Sequence, residues 1–302
     1  MNYFMIIYIL GHLLRFEAIF LFLPMITGVI YDEIDASIYM LLAFVAFVIG
    51  TVLTLKPPKN RQLFTKEGFV TVALGWIVLS MYGALPFVLT GDIPSYIDAL
   101  FETISGFTTT GASILSDVEA LSHANLFWRS FTHWIGGMGV FVFILAILPM
   151  IGGSTMYLMK AESPGPSVDK FVPRVKDTAK ILYTLYVGIT LLQIVCLLLA
   201  KMPLFDTLTL TFGTVGTGGF GVKNSSLGDY TSLQQNIITF FMIASGVNYS
   251  AYFFIISKNF KDAFKMEEVR WYFGIILAAV AILTFNTMHL YSGFGETLKH
   301  AF

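Results

Sequence analysis

Apolar residues dominate this chain in long runs, and seven of them reach the roughly 20 residues that a helix needs to cross a bilayer: 3–27, 36–55, 68–90, 124–151, 178–201, 232–257 and 270–291. Two more apolar runs are too short to cross and end in a cluster of small and hydroxylated residues. They are "YIDALFETISGFTTTGAS" (96–113) and "LFDTLTLTFGTVGTGGFG" (204–221), set in connections at 91–123 and 202–231 that are longer than a turn requires. Each reads as a short helix followed by a glycine-bearing extended loop. Structureless backbone cannot lie in lipid, where each unsatisfied peptide group costs several kcal/mol, so at membrane depth it is buried in protein or lines a water-filled path. The pattern predicts a re-entrant loop in each connection.

Composition agrees with the pattern. Hydrophobic residues make up 56% of the 302 and charged residues 12%, against about 25% charged in soluble domains, so the chain is an all-α integral membrane protein. The net charge of −1 gives no reason to expect a nucleic-acid partner. A single cysteine, Cys196, excludes a disulfide framework and a Cys-based metal site, and the histidines (His12, His123, His133, His289 and His300) are scattered without metal-ligand spacing. No basic segment precedes the first apolar run and no small-residue cleavage site follows it, so that run is not a removable signal peptide.

Charge then orients the spans. Thirteen of the 18 Lys and Arg residues fall in three connections: Lys56, Lys59, Arg61 and Lys66; Lys160, Lys170, Arg174, Lys176 and Lys180; Lys258, Lys261, Lys265 and Arg270. The others carry Asp32, Glu33, Asp35, Asp92, Asp98, Asp117, Glu119 and Asp229. The positive-inside rule makes the basic connections and the N-terminus cytoplasmic, so both re-entrant loops enter from the outside.

The two re-entrant segments are copies. Matching "TTTGA" (108–112) to "VGTGG" (215–219) gives an offset of 107 residues, and matching Asp98 to Asp206 gives 108. Each is flanked by an apolar helix before and after, and such a repeat is a unit of architecture. A half-helix entering from outside aims its carbonyl end, the negative end of its dipole, inward. An extended Thr/Gly stretch adds successive carbonyls, with glycine supplying φ > 0. Carbonyls of this kind replace the hydration shell of a monovalent cation and still release it. Gly and Thr patches also serve as plain helix-packing surfaces, but repetition after a short helix in the same topological place favours an ion path.

The unit resembles the membrane-pore-membrane repeat of the Trk/Ktr/HKT superfamily of potassium transporters, specifically the TrkH-type pore subunits of bacterial Trk uptake systems. The resemblance rests on "GALPF" (83–87), "FETISGFTTTGAS" (101–113), "FWRSFTHWIGGMG" (127–139), "ESPGP" (162–166) with "PRVKDTAK" (173–180), "TVGTGGF" (214–220) and "SGVNYSAYF" (245–253), in that order and covering nearly the whole chain. It implies four non-identical repeats around one pore, preceded by two extra helices at 3–27 and 36–55. The expected organisation is 1–67 for those two helices, 68–151 for the first repeat, 152–177 for a cytoplasmic linker, 178–257 for the second repeat and 258–302 for the start of a third. The resemblance further implies one key filter glycine per repeat, Gly111 and Gly218, and potassium ligands in the carbonyls of Thr109 and Thr110 and of Gly216 and Thr217. Thr108, Ala112, Ser113, Val215, Gly219 and Arg129 would support the filter. Two filter strands are missing from the pattern, so the expectation is the N-terminal part of a longer subunit that does not conduct alone, in which a dimer imitating the four-part ring is the less favoured reading.

Other implications of the resemblance are a bacterial inner-membrane location, no covalent cofactor, potassium as the transported ion, a cytosolic nucleotide-binding TrkA-type partner meeting 152–177, and a homodimer of the full subunit. No G-x-G-x-x-G unit follows a strand here, so nucleotide binding would belong to the partner. Sodium or cation-coupled symport within the same superfamily, and a non-conducting truncated subunit, remain open as alternatives. A broken-helix secondary transporter would show inverted repeats, whereas both copies here enter from one side. An intramembrane enzyme would need a nucleophilic or paired-acid constellation that the sequence lacks.

A few polar residues carry separate expectations. Arg15 and Glu17, within the first helix, each cost at least about 2.5–3.5 kcal/mol on insertion scales and do not face each other. Each is read as structural, meeting a partner elsewhere or water. Arg129 either braces the first filter through carbonyls or snorkels to the interface. Gly136, Gly137 and Gly139 permit close backbone approach, Asp98 and Asp206 cap the short helices, and Asn248 bonds a neighbouring helix.

Overall fold

The computed structural model describes residues 2–59, 65–139, 175–291 and 293–301, which form helices, turns and irregular backbone with no strand among them. The chain divides into two compact units, Met1–Phe241 and Met242–Phe302.

In the first unit α1 (Tyr3–Phe20) and α2 (Phe22–Ile30) make one apolar stretch, interrupted at Leu21. Pro24, one turn beyond Phe20, cannot donate to the helix ladder, which accounts for the break. Then come α3 (Asp35–Thr54), α4 (Thr65–Gly83) and the short α5 (Leu85–Thr90). Pro86 near the start of α5 interrupts the ladder after Gly83 in the same way, and Gly91, left-handed with φ 87°, ends it. The short helix α6 (Tyr96–Phe107) and α7 (His123–Gly137) follow. Beyond residues 140–174, which lie outside the described residues, come α8 (Val175–Leu199), the second short helix α9 (Leu204–Val215) and α10 (Ser232–Gly246). The second unit holds α11 (Tyr249–Ile256), α12 (Phe260–Lys265), α13 (Glu267–Thr287) and α14 (Phe294–Ala301).

Among the described residues, five helical stretches are long and apolar enough to cross a membrane: Tyr3–Ile30, Asp35–Thr54, Lys66–Thr90, Lys180–Leu199 and Glu267–Thr287. Large apolar side chains such as Phe4, Phe44 and Leu199 face outward, the burial pattern of a lipid-facing surface. The chain is a multi-pass membrane protein of the all-α class. Two of the anticipated spans differ in form. The run 232–257 is not one straight helix: α10 and α11 meet at a 92° bend. The cause is Asn248, whose Oδ1 accepts from Ser250 N and starts α11 as a new helix. In the run 124–151 the described helix is α7, and 140–151 falls outside the described residues.

Helix α7 lies at the centre of the first unit, packed on both short helices, α6 and α9, and on α2. Almost all of it is buried, from Ala124 to Ile135. Trp128 donates its indole N–H to Gly83 O at 2.9 Å, and Tyr39 donates its hydroxyl to Asn125 Oδ1 at 2.6 Å. These bonds tie α7 to α4 and α3.

Candidate functional site

The two short helices end identically. In α6, the C-cap is Thr108, the next residue Thr109 is left-handed at φ 54°, and Thr109 N and Thr110 N reach back to Gly106 O and Ser105 O at 3.0 and 2.9 Å. In α9, the C-cap is Gly216, Thr217 is left-handed at φ 58°, and Thr217 N and Gly218 N reach Thr214 O and Gly213 O at 2.9 and 3.0 Å. This is the Schellman arrangement, in which the left-handed residue is usually glycine. A β-branched threonine there is a costly choice, and both copies make it. Two residues later each chain turns left-handed again, at Gly111 (φ 74°) and Gly219 (φ 82°).

Equivalent positions are therefore 108 apart throughout: Tyr96 with Leu204, Thr109 with Thr217, Gly111 with Gly219. The sequence match that paired Gly111 with Gly218 is one residue out, because the Thr-Gly pairs align by composition while the backbone follows the helix ends. The structural counterpart of Gly111 is Gly219, and Thr109 and Thr110 correspond to Thr217 and Gly218. Val215 and Gly216 are the last helical residue and cap of α9, and both are buried. Thr108, Thr110, Ala112, Ser113, Thr217 and Gly219 are exposed, with Thr109, Gly111 and Gly218 half-buried. The carbonyls of Thr109, Thr110, Thr217 and Gly218 accept no hydrogen bond among the described residues. The loops touch one another: a β-carbon at Gly111 would strike the Gly218 carbonyl oxygen, and one at Gly218 would strike the His133 ring.

A buried polar bridge joins the loops from behind. Glu102 on α6 accepts from Ser113 Oγ at 2.9 Å and Ile114 N at 3.0 Å in the first loop, and from Arg129 Nε at 2.5 Å. Arg129 also donates from Nη1 to Gly221 O in the second loop at 2.8 Å, and its guanidinium lies 3.5 Å from the Phe220 ring centre. His133, one turn on, stacks on the same ring at 4.0 Å. Arg129 thus braces rather than snorkels; the carbonyl it holds belongs to the second loop, and it reaches the first through Glu102. Position 210, the counterpart of Glu102, is leucine, so the bridge is single. Away from that bridge Asn224 stitches the loops again, accepting from Val118 N at 2.8 Å and donating to Asp117 Oδ1 at 2.8 Å and, from its backbone N, to Glu119 Oε1 at 2.9 Å.

Sequence reading missed Glu102 and His133. A lone carboxylate in an apolar helix was the available signal for Glu102, since such a charge needs a partner; nothing local marks His133. Asp98 and Asp206 do not cap the short helices. The cap of α6 is Ser95, whose Oγ accepts from Asp98 N, and α9 starts after Pro203 without a side-chain cap. Both aspartates sit in first turns, where a negative charge suits the dipole, and Asp206 also accepts from Tyr230 OH at 3.0 Å. Nearby, Glu33 takes the backbone N–H groups of His123 and Ala124, the free donors at the start of α7, and His123 stacks on Tyr31 at 3.8 Å. Burial first, then the Asp206 and Glu33 carboxylates, push the Tyr31 phenol above its ordinary value.

The remaining polar residues divide. Gly136 and Gly137 do allow close approach, against Phe107 O and the Gly216 α-carbon, and Gly139 is left-handed at φ 64°. Arg15 lies over the Phe47 ring. Asn248 bonds a neighbouring helix as anticipated, through Nδ2 to Glu268 Oε2 on α13, besides capping α11. Among the described residues no group of His, Cys, Asp and Glu could hold a metal ion.

A family model described as TrkH, cation transport protein, matches residues 37–289. The Trk system potassium uptake protein TrkH of Salmonella typhimurium is 38% identical over 93% of this chain and 59% of its own length, and the Trk system potassium uptake protein TrkG of Escherichia coli is 34% identical over 88% and 56%. The chain thus spans somewhat over half the length of these relatives. The crystal structure of the potassium transporter TrkH from Vibrio parahaemolyticus superposes with a TM-score of 0.84 and 27% identity, over 100% of this chain and 63% of that one.

Proposed function

Because the chain belongs to the TrkH family of cation transport proteins, we propose that its two re-entrant loops are two strands of a potassium filter and that the subunit containing them takes up potassium. The observation that carries this reading is the duplicated loop: two equal short helices, each ending in a left-handed threonine and a left-handed glycine, with carbonyls left free between them. The ligands are the carbonyls of Thr109 and Thr110 in one strand and of Thr217 and Gly218 in the other. Gly216, the α9 cap, is the counterpart of Thr108 and supports from behind, with Val215. Carbonyl dipoles suit an alkali cation because they replace hydration without a full charge that would trap it. Four free carbonyls are fewer than a dehydrated ion needs, so the complete ring draws its other ligands from further strands.

The family also supports an inner-membrane location with a cytoplasmic N-terminus, a homodimer of the whole subunit and a cytosolic TrkA-type regulatory partner. The relatives' own names make them components of a Trk system. The segment expected to meet that partner, 152–177, lies outside the described residues except for its last three.

The test is rescue of a potassium-uptake-deficient bacterium by the subunit expressed from its full reading frame. Gly111→Ser puts a side chain where the Gly218 carbonyl lies and forces the left-handed turn onto a non-glycine residue. Potassium-over-sodium selectivity should fall about tenfold or more, the equivalent of about 1.4 kcal/mol between the two ions. Selectivity unchanged at normal expression would remove the filter assignment.

A further inference from the structure

The filter reading makes no use of Glu17, yet this carboxyl sits in the last turn of α1, halfway along the apolar stretch Tyr3–Ile30, and is only 2% exposed. Neither of its oxygens has a hydrogen-bond partner among the described residues. It points into a small cavity lined otherwise by Leu13, Phe16, Phe20, Leu79, Phe107 and Ile135, all apolar. Gly83, at the head of "GALPF", leaves it room: a β-carbon there would come within 3.1 Å of Glu17 Oε1, of Phe107 and of Thr103. The neighbouring cation, Arg15, is engaged elsewhere, over Phe47 and against Gly50. The titratable side chain facing Glu17 from α4 is Tyr82, whose hydroxyl is donated to Leu42 O.

A carboxylate anion in this place would have neither counter-charge nor donor among the described residues, and in hydrocarbon that cost is prohibitive beside the cost of the neutral acid. A metal cation would find one carboxyl and six apolar side chains, where even a weakly held ion asks for several oxygens. A proton asks for one. We propose that Glu17 is a proton-binding site at membrane depth, a carboxylic acid held against Phe107, the last residue of the first short helix. Binding forms one O–H bond with a proton taken from water and leaves no charge; release returns the proton to water and puts an uncompensated anion behind that helix.

This inference stands independently of the filter, and its test does not depend on transport. The subunit from its full reading frame is placed in lipid nanodiscs and its infrared spectrum is recorded at neutral pH in H2O and D2O. A protonated-carboxyl C=O stretch equivalent to one group per chain, shifted by deuteration, should be present in the natural protein and lost in Glu17→Gln. Absence of that band, or its persistence in Glu17→Gln, would overturn the proposal. So would failure of Glu17→Gln to fold, because the amide reproduces the size and neutrality of the acid.

Discussion

Arg129 shows how a single side chain can hold two segments more than ninety residues apart. It is 3% exposed, pairs with a Glu102 that is 1% exposed, and donates from Nη1 to Gly221 O. Removing one member of a buried pair leaves the other charged and unpaired, at a cost of about 3–5 kcal/mol. Arg129→Gln should therefore lower thermal stability in detergent strongly, and Glu102→Gln on top of it should recover part of the loss, a coupling read from a double-mutant cycle. Additive losses would mean that the two do not act as a pair. Arg129 could be singled out in the sequence because a guanidinium within an apolar helix is conspicuous. Its partner could not be assigned there: the pairing is set by how α7 lies across α6.

At the scale of elements, α7 works as a wedge between two short helices, and its glycines set how closely they approach. A β-carbon at Gly136 would collide with the Phe107 carbonyl, while one at Gly188 on α8 meets nothing within 4 Å among the described residues. Gly136→Ala should destabilise by about 1–3 kcal/mol through overpacking, whereas Gly188→Ala should be neutral or gain about 0.5–1 kcal/mol from helix propensity. Equal shifts in melting temperature for the two would contradict this packing. Both are helix glycines in apolar runs, and composition does not distinguish them; the neighbour across the interface does. The short helices themselves were legible, since their length and their Thr/Gly ends are local features. Their caps were not, because Ser95 rather than the conspicuous Asp98 takes the terminal position.

For the whole molecule, charge asymmetry predicts sidedness. Cys196 is the sole cysteine of these 302 residues, so with Cys196→Ser the chain can be labelled at introduced sites. With a membrane-impermeant thiol reagent on intact cells, Ser225→Cys, in the loop after the second short helix, should react, and Lys258→Cys should react only after permeabilisation. The reverse pattern would invert the topology. Insertion into a membrane, the all-helical class and the duplication of a short helix with a Thr/Gly loop were determined by the sequence itself, because hydropathy and helix length add up residue by residue along the chain. The loop register, the Glu102–Arg129 bridge, the break at Asn248 and the isolation of Glu17 were decided only by the tertiary structure. Each depends on which atoms of distant segments come within about 3 Å of one another, a distance at which one residue of register moves a group from partner to bystander.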